Sequence, residues 1–131
     1  MIKGKCLCGE IKYTLTSELL DLYNCHCSQC RAFSGSSFAT NASIIGNDFK
    51  ISDPNHNLAK YETNKGERYF CKSCGSPIYS CAKDGEEFPT LHCGSITGYP
   101  KKGLDANIWV SEKCAWTEID EDIQSFDGFP E

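Results

Sequence analysis

Ten of the 131 residues are cysteines, and seven of those fall in three tight groups. Cys6-x-Cys8, Cys25-x-Cys27-x-x-Cys30 and Cys71-x-x-Cys74 are the groups, while Cys81, Cys93 and Cys114 stand alone. Sulfurs this close in sequence share a metal ion easily, whereas a disulfide between them would be strained. The stretch Met1-Ile2-Lys3-Gly4-Lys5-Cys6 has no apolar signal-peptide core. That points to a cytoplasmic, reducing setting, where clustered cysteines serve metals more often than disulfides. Metal–thiolate chemistry is the first expectation.

The outer two groups make a natural pair. Cys8-Gly9 and Cys74-Gly75 both end in glycine, which supplies the positive φ that a knuckle needs just after its second ligand. In Cys6-x-Cys8 an extended chain puts both sulfurs on one face, because strand side chains alternate. Together Cys6, Cys8, Cys71 and Cys74 offer the closed four-sulfur set of a structural zinc site. Such a site can supply on the order of 10 kcal/mol of folding free energy.

The middle group is different. Cys25, Cys27 and Cys30 give three sulfurs, and three protein ligands leave a fourth position open, as in a catalytic zinc site. His26 lies between two ligands, so its side chain should point the other way. A second structural site, completed by Cys81, Cys93, Cys114 or His92, is the alternative. A three-thiolate zinc is a weak Lewis acid but a soft centre that welcomes another sulfur. Thiol chemistry is therefore expected ahead of water activation.

These ligands must be carried by short strands. Ile11, Tyr13 and Leu15 alternate with Lys12 and Thr14, the period of a half-buried strand. Further β-like runs are 37–40, 49–52, 58–63, 68–71, 78–81, 90–94 and 107–110. Turn signals separate them, among them Gly46-Asn47-Asp48, Asp53-Pro54-Asn55, Asn64-Lys65-Gly66, Lys83-Asp84-Gly85 and Tyr99-Pro100. Residues 28–33 suit a helical turn. The expectation is one mainly-β domain over 1–131, with a short acidic tail over about 118–131. No apolar run approaches the ~20 residues of a membrane helix. The net charge of -5 and the scattered lysines disfavour a nucleic-acid face.

The order Gly4-x-Cys6-x-Cys8-Gly9-x-Ile11-x-Tyr13, then Cys25-His26-Cys27-Ser28-x-Cys30-Arg31, then Phe70-Cys71-x-x-Cys74-Gly75-Ser76-x-Ile78 resembles the glutathione-dependent formaldehyde-activating enzyme family, to which centromere protein V also belongs. The stretch Ile108-Trp109-Val110-Ser111-Glu112-Lys113-Cys114-Ala115-Trp116 looks like the family's later segment. The resemblance implies a zinc-stabilised β-tent of small antiparallel sheets and two Zn2+ sites. One would be structural, on Cys6, Cys8, Cys71 and Cys74. The second would be on Cys25, Cys27 and Cys30. It also implies carbon–sulfur lyase chemistry like that of S-(hydroxymethyl)glutathione synthase, with a small thiol such as glutathione and an aldehyde such as formaldehyde as partners. Leu91-His92-Cys93-Gly94-Ser95-Ile96 departs from the pattern expected of the formaldehyde-activating prototype.

Arg31 follows the open cluster and could contact a substrate anion bidentately. Arg68, Lys65 and Lys72 flank the third group and read as solvated charges. His92 reads as a core histidine, and Cys81, Cys93 and Cys114 as small buried hydrophobes. Trp109, Trp116, Phe33, Phe38, Tyr69 and Phe70 read as core. Two rivals to the enzyme reading follow from the residues: a non-catalytic zinc module that binds a protein partner, and a thiol redox or zinc-release protein.

Overall fold

The structure is a computed structural model and describes residues 1–98 and 100–130. Tyr99 of the expected Tyr99-Pro100 turn and Glu131 of the acidic stretch lie outside the described residues. In chain order the elements are β1 (Ile2–Lys5), β2 (Lys12–Leu15), β3 (Leu22–Cys25), α1 (Ser28–Ser34), β4 (Ala39–Ser43), β5 (Phe49–Ser52), β6 (Leu58–Thr63), β7 (Gly66–Cys71), β8 (Pro77–Ala82), β9 (Thr90–His92), β10 (Ile96–Thr97), β11 (Ala106–Ile108) and β12 (Gln124–Ser125). The protein is mainly β, as its alternating runs predict. No helix among the described residues is long and apolar enough to cross a membrane.

The strands form two sheets. One has the order β10-β1-β2-β5, and the other runs β12-β11-β3-β4-β9-β8-β7-β6. Most pairings are antiparallel, but β11 pairs in parallel with both β3 and β12. The mainly antiparallel pairing agrees with the expected antiparallel sheets, and the parallel pairs of β11 are added at one edge. The acidic segment, expected to be a tail, supplies β12 and so adds an edge to the larger sheet. Phe126 N–H donates to the Asn107 carbonyl at 2.9 Å, and Trp109 N–H to the Gly128 carbonyl at 3.1 Å.

Strand alternation gives the middle of the large sheet two unlike faces. Leu22 is opposite Ala42, Ala42 opposite Leu91, and Leu91 opposite Tyr79. This row packs with Ile11, just before β2, and with Tyr13, Leu15 and Ile51 of the smaller sheet to form the main core. Tyr79 continues it onto Tyr69 by parallel ring stacking at 4.3 Å. One residue along each strand, the other face carries a polar row. Tyr23 is opposite Asn41, Asn41 opposite His92, Thr90 opposite Ser80, and Ser80 opposite Arg68.

The turn between β6 and β7 is tight. Gly66 has φ 148° and sits opposite Ala82, and a Cβ there would overlap the Cys81 carbonyl oxygen. Only glycine fits. Gly66→Ala should therefore lower stability by more than about 1 kcal/mol, read from the urea midpoint. An unchanged midpoint would show that β7 and β8 tolerate more separation than this geometry allows.

Candidate metal and thiol site

The first cluster is built by two knuckles. Cys6 follows β1, and the chain turns at Gly9 (φ 80°). Cys71 ends β7, and the chain turns at Gly75 (φ 79°). Neither glycine would meet a neighbour if it carried a Cβ, so positive φ is what requires them. The sulfurs of Cys6, Cys8, Cys71 and Cys74 lie within 4.8 Å of one another. Backbone N–H groups turn toward the sulfurs, with Ile11 N–H donating to Cys6 Sγ at 3.3 Å. Ser76 bridges the knuckles. Its Oγ accepts from Leu7 N–H at 2.9 Å and lies 3.2 Å from Cys74 Sγ.

The second cluster grows from the end of β3 into α1. Cys25 is the last residue of β3, and Cys27 caps the helix with its sulfur accepting from Cys30 N–H at 3.3 Å. The helix stops after about two turns at Gly35, which is left-handed and bonds back to the Arg31 carbonyl. The three sulfurs are buried and mutually within 4.8 Å. Among the described residues no fourth Cys, His, Asp or Glu joins them at that range. Cys114 Sγ instead accepts from Arg31, and both His92 ring nitrogens have other partners. His26 points away, with Nε2 3.0 Å from Asn107 Oδ1 and its ring against Phe38.

Both donor sets suit a soft divalent cation. Four sulfurs in one place close a tetrahedral shell, and three leave room for one more ligand. The charge distribution of the second cluster fits the same use. The neighbouring Cys25 and then Cys30 hold the Cys27 thiol far below its usual range, with Lys65 adding to the effect. The same contacts push Cys25 up, Cys27 first and Cys30 next, with burial adding to them. Negative charge thus concentrates at the helix cap.

A cavity of about 170 Å³ opens over this cluster, lined by the polar row of the large sheet together with Gln29, Lys65, Trp109 and Phe129. Arg68, expected to be a solvated charge, lies on its wall. Its Nη2 donates to Cys30 Sγ at 3.7 Å and its guanidinium packs 5.1 Å from the centre of the Phe33 ring. Arg68 Nη1 is buried and has no hydrogen-bond partner among the described residues. Lys65 stands over the Trp109 ring at 4.7 Å. Arg31, the expected anion contact, does not line the cavity. One residue beyond Cys30, it falls on another side of the helix, where Nε donates to the His26 carbonyl at 3.2 Å and Nη1 to Cys114 Sγ. Asn41 and Ser80 line the cavity and carry no motif that sequence reading could single out.

A model of the glutathione-dependent formaldehyde-activating enzyme family matches residues 1–112. An uncharacterized lyase of Schizosaccharomyces pombe is 30% identical over 112 residues, which span 85% of this chain and 80% of the relative. A Halomonas elongata protein that bears the same family name is 26% identical over an alignment spanning 100% of this chain and 90% of its own. A crystal structure of a Rhodobacter sphaeroides protein superimposes with a TM-score of 0.61 at 23% identity, covering 76% of this chain and 91% of that one. This last likeness concerns the fold.

His92 supplies a check on the polar row. Burial, and then the charge of Arg68, push its imidazole down to about 3. Between that value and the free-histidine value near 6.5, the unfolded chain binds the extra proton and the folded chain does not. Stability should therefore fall as pH drops through this window, by at most about 1.4 kcal/mol per pH unit from this group. Imidazole ¹⁵N spectra should show His92 neutral from pH 8 down to 5. A protonated His92 at pH 6 would contradict the buried, Arg68-facing placement.

Proposed function

Because the chain belongs to the glutathione-dependent formaldehyde-activating enzyme family, we propose that it is a zinc-dependent carbon–sulfur lyase that makes and breaks adducts of a small thiol, such as glutathione, with an aldehyde. The observation that carries this reading is the convergence of three buried sulfurs and the Arg68 guanidinium on one small cavity. Cys25, Cys27 and Cys30 would hold the reactive zinc, and Cys6, Cys8, Cys71 and Cys74 a structural one. Zinc in a three-thiolate set supplies, when bound, a soft position that favours the deprotonated form of a further thiol.

The remaining work falls to the chain's own side chains. The cavity is smaller than the ~300–1,000 Å³ typical of sites that enclose drug-sized ligands. It takes the reacting end of a thiol and a small carbonyl compound, with the rest of the thiol at its mouth. Arg68 and Lys65 offset the negative charge of the sulfurs. When a thiolate adds to an aldehyde, the carbonyl oxygen gains charge, and the Arg68 guanidinium on the cavity wall is the donor placed to receive it. A preorganised donor of this kind is worth about 10²–10³-fold in rate. Trp109 closes one wall and keeps the ammonium of Lys65 at a fixed place by a cation–π contact. Holding both partners in so small a volume lowers the entropic part of the barrier.

Native mass spectrometry should find two zinc ions per chain. Cys27→Ser should keep one zinc and the fold, and lose at least about a hundredfold in thiol–adduct exchange, measured by NMR with glutathione and formaldehyde. Cys71→Ser should unfold the domain. Arg68→Gln should keep both zinc ions and slow exchange by about 10²-fold. Two zinc ions with no acceleration of exchange for any thiol–aldehyde pair would sink the enzyme reading and favour a non-catalytic zinc module.

A further inference from the structure

Asn41, His92 and Ser80 belong to neither sulfur cluster, yet they form a directed chain of hydrogen bonds that ends in the cavity. Asn41 Nδ2 donates to Cys30 Sγ at 3.8 Å. That leaves Asn41 Oδ1, which can only accept, 2.9 Å from His92 Nδ1. The proton of the neutral imidazole must then sit on Nδ1. His92 Nε2 is left bare and accepts from the Ser80 hydroxyl at 2.6 Å. The single hydrogen of Ser80 is committed to the histidine, so its oxygen can offer the cavity only lone pairs.

The surroundings hold this direction. An imidazolium would turn Nε2 into a donor and free the Ser80 hydrogen, but His92 is buried and shares the wall with Arg68. Burial, followed by the Arg68 charge, keeps the ring neutral. The strand register fixes the rest, since Asn41 is directly opposite His92, and Ser80 lies between Thr90 and Arg68 on the same face. Arg68 beside Ser80 only donates. A ligand group that both accepts and donates therefore finds its two complements side by side, a guanidinium and a hydroxyl oxygen. An alcohol has that character, and a thioether does not.

We propose that Ser80 Oγ is a fixed acceptor for a ligand hydroxyl, so that the site selects thiol adducts bearing a hydroxyl on the carbon next to sulfur over thioethers of the same size. This rests on the thiol–aldehyde function proposed above. It makes Ser80 a specificity-determining residue, and His92 and Asn41 positioning residues that act through it.

The test compares S-hydroxymethylglutathione, formed in situ from glutathione with a small excess of formaldehyde, with S-ethylglutathione, which has a methyl where the adduct has its hydroxyl. Affinities are read by tryptophan fluorescence on the zinc-loaded protein. The wild type should bind the hydroxyl ligand about tenfold tighter, the worth of one good hydrogen bond. Ser80→Ala should bring the ratio below about twofold and leave S-ethylglutathione binding unchanged, an effect that a merely structural serine would not produce. A wild-type ratio near one, with both ligands binding, overturns the assignment and leaves the function standing. So does a ratio that survives in Ser80→Ala. If neither ligand binds the wild type, the function fails and this inference fails with it. Should Ser80→Ala not fold, Ser80→Cys, whose sulfur accepts only weakly, carries the same test: a ratio below about twofold supports the assignment and an unchanged ratio overturns it.

Discussion

The alternation of side chains along β3, β4, β9, β8 and β7 is the constraint on which the site depends. These strands are short, and each carries both a core residue and a site residue in adjacent positions. Ala42 and Leu91 face the smaller sheet, whereas Asn41 and His92 face the cavity. A slip of one residue in any ladder would push an amide or imidazole into the apolar core and turn a leucine out. The free energy of burying Ala42, Leu91 and Tyr79 therefore also fixes the polar row. Packing and chemistry are held by one register, because a strand has only two sides.

The two sulfur clusters stand at the ends of this arrangement. The pair of knuckles joins β1 to the end of β7, so it ties the smaller sheet to the larger one across more than sixty residues of chain. The three-sulfur cluster sits where β3 gives way to α1, and there the neighbouring Cys25 and then Cys30 side chains lower the Cys27 thiol, with the Cys30 backbone N–H adding to the effect. Cys27 is a helix cap whose sulfur accepts an N–H bond. A capping position favours negative charge. Arg68 reaches the same cluster from β7, four strands away in the sheet, so its place depends on the whole ladder between.

What could be read from the amino-acid sequence follows from how local each signal is. The cysteine groups and the glycines after Cys8 and Cys74 declare themselves within five residues, and the strands at 49–52 and 58–63 end where their turn residues predict. The parallel pairing of β3 with β11 joins segments about eighty residues apart, and no local pattern encodes it. Arg31 was the natural choice for an anion contact because it is next to Cys30, but adjacency on a helix means a rotation of about 100° and a different face. Arg68 reads as a solvated charge because its partner Cys30 is distant in sequence. Ser80 and Asn41 are common polar residues in short strands, and only the register between β4, β9 and β8 gives them a role. His92, read as a satisfied core histidine, is buried with both nitrogens bonded, and its position on the cavity wall adds a role that burial alone does not reveal.

The segment after residue 112 lies outside the part of the chain that the family model matches, yet it helps to shape the cavity. Its Phe126 and Gly128 carbonyls accept from Val110 and Trp109, and the Phe129 ring meets Trp109 edge-on. The sulfurs and the polar row belong to the matched portion, whereas one wall is braced from a stretch beyond it. A change of side chain at Phe129 would therefore alter the cavity wall at Trp109 while leaving the clustered sulfurs and the strand register in place.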